Sequence, residues 1–91
     1  MKLGTSIRRI TRVDPDGFRV GLEYEDGYVG TVDLGFLFRS PKGKPLVQEI
    51  LRGDLFRKCF VDSGALAWPN GYELCPDALR AWMVKSGRRV A

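Results

Sequence analysis

One stretch of unbroken alternation constrains the fold of this 91-residue chain more than any other feature. Over 18–25 apolar and polar positions alternate at every step, which is the period of a half-buried β-strand and not of a helix. The turn-forming pair Asp26-Gly27 follows, and a second β-like segment runs over 28–34. These residues predict an antiparallel β-hairpin.

The register of this hairpin depends on the length of its loop. A two-residue loop would place Val20 opposite Asp33. A three-residue loop over 25–27 places Val20 opposite Val32 instead, with Gly27 supplying the positive φ of a β-bulge. We prefer the longer loop because it keeps the apolar face whole. The other pairs that it predicts are Phe18 with Leu34, Leu22 with Gly30, and Tyr24 with Tyr28.

A third strand is predicted upstream, over 7–13, which makes the sheet an antiparallel meander. It joins the hairpin through 15–17, whose proline and glycine suit a type I turn with a bulge. Ile10 has the opposite parity to Ile7 and Val13. Either a bulge interrupts this strand or Ile10 packs on the second face of the sheet.

A short helix is predicted downstream of the meander. It begins at Pro45, and its apolar residues recur at the i,i+4 spacing until Gly53 ends it. Asp54 is predicted to cap one further turn through Lys58.

The C-terminal third predicts a second hairpin and a last helix. The hairpin pairs 59–62 with 65–68 around a turn, so that Val61 faces Leu66. Pro69-Asn70-Gly71 is predicted to end the hairpin in a turn. The helix begins at Pro76. The residues that share its apolar stripe are Leu79, Trp82 and Met83.

The predicted fold class is therefore α+β. It comprises a three-stranded antiparallel β-meander, a second hairpin, one or two short helices between them, and a C-terminal helix. The chain is short enough that we expect a single domain over 1–91, with an ordered core over about 7–84 and a frayed tail over 86–91.

The absence of histidine excludes the most familiar hydrolase mechanisms, so that an enzyme, as a third possibility, would have to use carboxylates, tyrosine or cysteine. It removes Ser-His and Cys-His nucleophile pairs, the commonest general base and the commonest metal ligand. The carboxylates Asp62, Glu73 and Asp77 are a weak acid-base signal because nothing in their spacing brings them together. We expect no enzyme activity, no catalytic residues, no cofactor and no metal site.

The sequence also indicates a compartment. No apolar run approaches the length of a membrane span, and no signal peptide follows Met1, so we expect a cytoplasmic protein without a membrane partner. In a reducing cytosol Cys59 and Cys75, which lie in apolar segments, are expected to be buried thiols and not a disulfide.

Basic residues give the chain a net charge of +4 and suggest one binding function. Four arginines on the first two strands are candidates for tracking a phosphate backbone: Arg8, Arg9, Arg12 and Arg19. Against this hypothesis, no aromatic residues are interleaved for base stacking, and Arg8 has a cross-strand carboxylate available in Glu23. The solvated-face interpretation is therefore preferred.

The segment 68–72 places two aromatic rings beside a rigid turn. Such a corner is either a core plug or an anchor for a partner protein. The candidate partner-binding residues are Trp68, Asn70, Tyr72 and Glu73. For Trp68 itself we favour the core, packed on Cys59 and the final helix.

Several segments together carry a family resemblance. They are 10–13, Asp26-Gly27, 30–34, the Trp-Pro-Asn-Gly turn over 68–71 and the Pro-Asp-Ala-Leu segment over 76–79. Over about 7–79 the chain resembles the bacterial domain-of-unknown-function family 2442. Members typically carry an aspartate where this chain has Glu73.

The resemblance implies a small α+β domain without catalytic residues, often encoded beside another small protein as in toxin-antitoxin pairs. Some members are fused to a helix-turn-helix, and we expect none here because the chain ends soon after the Trp-Pro-Asn-Gly turn. Binding of another small protein is therefore the preferred function, and non-specific nucleic-acid binding is the alternative.

Overall fold

The computed structural model describes residues 6–90, with side chains as far as Met83. Its elements are β1 (Ile7–Asp14), β2 (Arg19–Tyr24), β3 (Val29–Asp33), α1 (Gly35–Phe38), α2 (Pro45–Arg52), a 3₁₀ turn (Phe56–Lys58), β4 (Phe60–Asp62), β5 (Ala65–Ala67), β6 (Glu73–Leu74) and α3 (Pro76–Val90). The strands form two antiparallel sheets, in the orders β1-β2-β3 and β4-β5-β6. The predicted α+β class is confirmed.

The β2–β3 hairpin has the predicted register. Val20 lies opposite Val32 and Leu22 opposite Gly30. At the two ends of the ladder, Tyr24 N donates to Tyr28 O at 2.8 Å and Leu34 N donates to Phe18 O at 2.7 Å. Gly27 has φ +92°, as the three-residue loop requires. Loop length and burial of one apolar face were sufficient to fix this pairing.

Strand β1 takes the bulged form that the parity of Ile10 allowed. Its register shifts twice, between Ile7 and Arg9 and between Ile10 and Arg12, so that Ile10 lies opposite Leu22 and packs against the core. The turn into β2 departs from the prediction. The positive φ, +54°, belongs to Phe18 and not to Gly17. This conformation is strained for a bulky residue, and it turns the Phe18 ring onto Phe38 and Phe56 inside the molecule.

Of the helical segments after β3, α2 and the 3₁₀ turn match their predictions, whereas α1 lies on an apolar segment for which no helix was predicted. Helix α2 ends at Arg52 with Gly53 as its C-cap, and the further turn through Lys58 is present. Asp54 does not cap that turn as predicted, since Leu55 occupies the N-cap position and no side chain accepts a capping hydrogen bond from the turn. The Asp54 carboxylate lies instead 3.6 Å from Arg57.

The second sheet contains one strand more than predicted. Val61 pairs with Leu66 as expected. Beyond Trp68 the turn does not end the sheet, because the chain returns as β6 and pairs Leu74 with Leu66. The two sheets are joined where Ile7 N donates to Gly64 O at 2.9 Å.

Helix α3 is fastened to the β2–β3 hairpin at its first turns. The Tyr24 hydroxyl donates to Pro76 O at 2.9 Å. One turn further on, the Arg80 guanidinium lies 4.2 Å from the Tyr28 ring centroid and 2.9 Å from the Asp26 carboxylate. The helix thereby brings Leu79 and Met83 into the core, as their spacing predicted. Trp82, on the same stripe, is half-buried.

The two cysteines differ in exposure. Both cysteines are free; Cys59 is half-buried, whereas Cys75 is exposed, contrary to the prediction of two buried thiols. Burial raises the pKa of Cys59 to about 11. Over residues 6–90 no helix is long and apolar enough to cross a lipid bilayer. The frayed tail predicted over 86–91 falls on residues whose side chains are not described, and stays a prediction.

Candidate functional site

Trp68 belongs to the core and not to a binding surface. Its side chain is 1% exposed, and its indole N–H donates to Phe56 O at 3.0 Å. The ring lies among Phe38, Phe56 and Tyr72, with centroids 5.7 to 5.9 Å away. A side chain this buried presents no surface to a partner, so Trp68 lies in the core as favoured, whereas its packing on Cys59 and the final helix stays a prediction.

The other three residues of that candidate site differ in their exposure and in their contacts. The Asn70 amide forms hydrogen bonds within the fold, because its Nδ2 donates to Leu46 O at 3.0 Å and to Glu49 Oε1 at 3.1 Å. Tyr72 is half-buried against Trp68, and burial raises its pKa. Glu73 is exposed at the start of β6. Through the two Asn70 hydrogen bonds, the Trp-Pro-Asn-Gly turn of the second sheet contacts α2.

The four strand arginines are exposed, but most of their charge is matched by carboxylates. Arg9 Nε lies 2.6 Å from Glu23 Oε1, and Arg8 Nη1 lies 3.9 Å from the other oxygen of the same carboxylate. Arg19 Nε lies 3.6 Å from Asp14 Oδ2. Arg12 is also exposed. Residues 6–38 hold six carboxylates against these four arginines, so the segment that carries the arginines has a net charge of −2.

The described side chains assemble no candidate metal site. No group of three or more Cys, Asp or Glu side chains is placed to hold a metal ion between residues 6 and 83. The carboxylates Asp62, Glu73 and Asp77 lie on three different elements and are all exposed. The arrangement of these groups supplies no argument for catalysis.

An exposed aromatic pair is the feature that sequence reasoning missed. Phe36 on α1 is 56% exposed, and its ring meets the half-buried Trp82 edge to face at a centroid distance of 5.0 Å. The spacing of apolar residues assigned Trp82 to the apolar stripe of α3, whereas Phe36 lay in an unassigned apolar segment. Only the packing of α1 beside α3 brings the two rings together, so no motif could have marked the pair.

Positive charge is also concentrated in a segment for which no binding role was predicted. Residues 39–58 carry six basic side chains and two carboxylates, a net charge of +4. We name these six residues the basic band: Arg39, Lys42, Lys44, Arg52, Arg57 and Lys58. Residues 59–83 carry Arg80 and three carboxylates, a net charge of −2. A running charge count would have located the band in the sequence.

Comparisons with protein-family models, with curated proteins and with solved structures found no match. Membership of family 2442 therefore stays a prediction from the sequence segments that suggested it.

Proposed function

We propose that this chain is a small protein-interaction or regulatory module that binds another small protein. On the resemblance of its sequence, we further propose that it is a cytoplasmic protein and the antitoxin-like member of a toxin-antitoxin pair. The observation that carries the interaction proposal is the exposed Phe36 ring lying against Trp82.

The physical reason lies in the exposed apolar surface of this pair. Fully burying a phenylalanine side chain is worth about 1.5–3 kcal/mol, so covering the exposed half of Phe36 would stabilise a complex by roughly 1 kcal/mol. Aromatic side chains are enriched at the centre of protein interfaces, and tryptophan is among those that contribute most to binding. Trp82 supports the Phe36 ring from the side, so the ring is held in place before a partner arrives.

Capture of a partner by the tagged full chain tests the proposal. We expect a small protein, in particular the one encoded beside this chain, to co-purify in stoichiometric amount. Phe36→Ser should reduce the captured amount. The matched control is Phe60→Ser, which removes another exposed phenylalanine, 43% exposed on β4, and should leave capture unchanged. Equal capture by both variants would contradict the proposal.

Non-specific nucleic-acid binding through Arg8, Arg9, Arg12 and Arg19 remains the alternative. Its support is the exposure of all four side chains. The carboxylates beside three of them reduce the charge available to phosphate. Titration of labelled DNA and RNA at two salt concentrations tests it, since phosphate binding must weaken steeply as salt rises.

A further inference from the structure

The Trp-Pro-Asn-Gly turn contains the only asparagine among the 91 residues, and a glycine follows it directly. In such a pair the backbone nitrogen of the glycine can attack the side-chain carbonyl carbon of the asparagine, because glycine has no side chain to obstruct the approach. Apart from its chain neighbours, a Cβ built at Gly71 would meet no atom of the described residues within 4 Å, so water can reach the turn. Asn70 therefore has the neighbour and the solvent access that spontaneous deamidation needs.

This reaction requires only water as a co-reactant, and asparagine is among the residue types that heat degrades. The Gly71 nitrogen forms a bond to Cγ of Asn70 while the bond from Cγ to Nδ2 breaks. The proton lost from the glycine nitrogen leaves with Nδ2 as ammonia. Water then opens the resulting succinimide ring. Opening at the side-chain carbonyl gives aspartate, and opening at the main-chain carbonyl gives isoaspartate, in which the backbone passes through the former side chain.

Hydrogen bonds in the native turn hold the groups that would have to react. Gly71 N, the attacking nitrogen, donates to Trp68 O at 3.0 Å. The leaving nitrogen, Nδ2, donates to Leu46 O at 3.0 Å and to Glu49 Oε1 at 3.1 Å. The side-chain oxygen of Asn70 accepts from the backbone N–H two residues further on, at 3.3 Å. The amide cannot rotate toward Gly71 N until these bonds break, so the reaction has to wait for the turn to open.

The aspartate product would lack the donor that joins the turn to α2. An oxygen would replace Nδ2, so both hydrogen bonds to α2 would be lost. The new carboxylate would instead face the Leu46 carbonyl and the Glu49 carboxylate. Like charges repel at this distance, and solvent screens the repulsion only in part because Asn70 is half-buried. The modified turn therefore could not restore its contact with α2.

We propose that Asn70 is a deamidation site that the native turn protects and that opening of the turn exposes. Each opening allows a chance of reaction, and the product then holds the turn away from α2. The modification thus converts a reversible opening of the turn into a permanent one. This inference is independent of the proposed interaction function, because it uses neither Phe36 nor Trp82.

The first experiment measures the deamidation rate of the full chain at mildly alkaline pH. One sample is unfolded in guanidinium chloride, and the folded sample contains sodium chloride at the same concentration. Mass spectrometry of the proteolytic fragment that contains residue 70 quantifies replacement of the amide by a carboxyl group. We expect the folded chain to react at least about tenfold more slowly, because opening of the turn costs free energy. Asn70→Ala is the control and should show no such replacement. Equal rates in the two samples, or no deamidation of the unfolded chain, would overturn the inference.

The second experiment tests the effect of the product by urea unfolding. Asn70→Asp, which reproduces the aspartate product, should lower the unfolding midpoint. Addition of Glu49→Gln removes the opposing carboxylate and should recover part of the loss. The matched control is addition of Glu25→Gln, which removes an exposed carboxylate of the β2–β3 loop, changes net charge equally and should recover none. Where Asn70→Asp alone fails to fold, recovery is measured as regained folding. Equal recovery by both additions, or an unchanged midpoint in Asn70→Asp, would overturn the inference that deamidation separates the turn from α2.

Discussion

Replacement of Trp68 by alanine tests most severely how the core is built. The indole is 1% exposed and surrounded by Phe38, Phe56 and Tyr72. Truncation would remove this burial and leave a cavity, and it would also delete the donor to Phe56 O. Truncations of this kind lower the free energy of unfolding by about 3–5 kcal/mol.

That loss is large for a chain of this length. At roughly 0.05–0.15 kcal/mol per residue, the whole domain is stabilised by about 5–14 kcal/mol. The alanine variant should therefore unfold at a much lower urea concentration or fail to fold. Trp68→Phe keeps most of the buried ring but leaves Phe56 O without its buried donor. It should lower the free energy of unfolding by a smaller amount, about 1–3 kcal/mol.

Urea unfolding followed by circular dichroism measures both variants, because the signal does not depend on the deleted fluorophore. The order of midpoints should be unmodified chain, then Trp68→Phe, then Trp68→Ala. An alanine variant with an unchanged midpoint would refute the assignment of Trp68 to the core. A phenylalanine variant no more stable than the alanine variant would refute the weight given to ring packing.

Three further predictions concern single side chains. Asn70→Ala should lower the free energy of unfolding by about 1 kcal/mol in a urea titration, since the turn loses its amide hydrogen bonds to α2. In an NMR titration the pKa of Asp26 should lie below its usual 3.8, chiefly because the Tyr28 backbone N–H donates a hydrogen bond to the carboxylate. The ionised carboxylate therefore stabilises the fold above pH 3.8, and this stabilisation is lost as the pH falls through the lowered pKa. A titration midpoint at or above 3.8 would contradict this. A thiol reagent should label the exposed Cys75 long before Cys59, whose pKa is raised to about 11, and equal labelling rates would show that Cys59 is not shielded.

The parts of the fold that sequence predicted best are those that one local pattern decides. The alternation over 18–25 and the loop length over 25–27 determined the β2–β3 pairing. Strand β6 was missed because two residues cannot display a period, and its partner is chosen by the turn after Trp68. The positive φ at Phe18 was missed because burial of its ring outweighs the backbone preference that favours glycine.

The candidate sites were harder to predict because they depend on which side of an element faces inward. The sequence placed Trp68 at a rigid corner, and only packing shows that the corner faces the core. Likewise, the two bulges in β1 allow both Arg8 and Arg9 to reach Glu23, which residue parity alone does not reveal. The Phe36 and Trp82 pair joins elements that are far apart in the chain.

Chemical-shift mapping of the isotope-labelled full chain, with the captured partner added, tests the proposed interaction most directly. We predict that the perturbed resonances centre on Phe36 and Trp82, and that the outer face of β1 and β2 stays unchanged. Perturbations confined to Arg8, Arg12 and Arg19, or none at saturating partner, would contradict it.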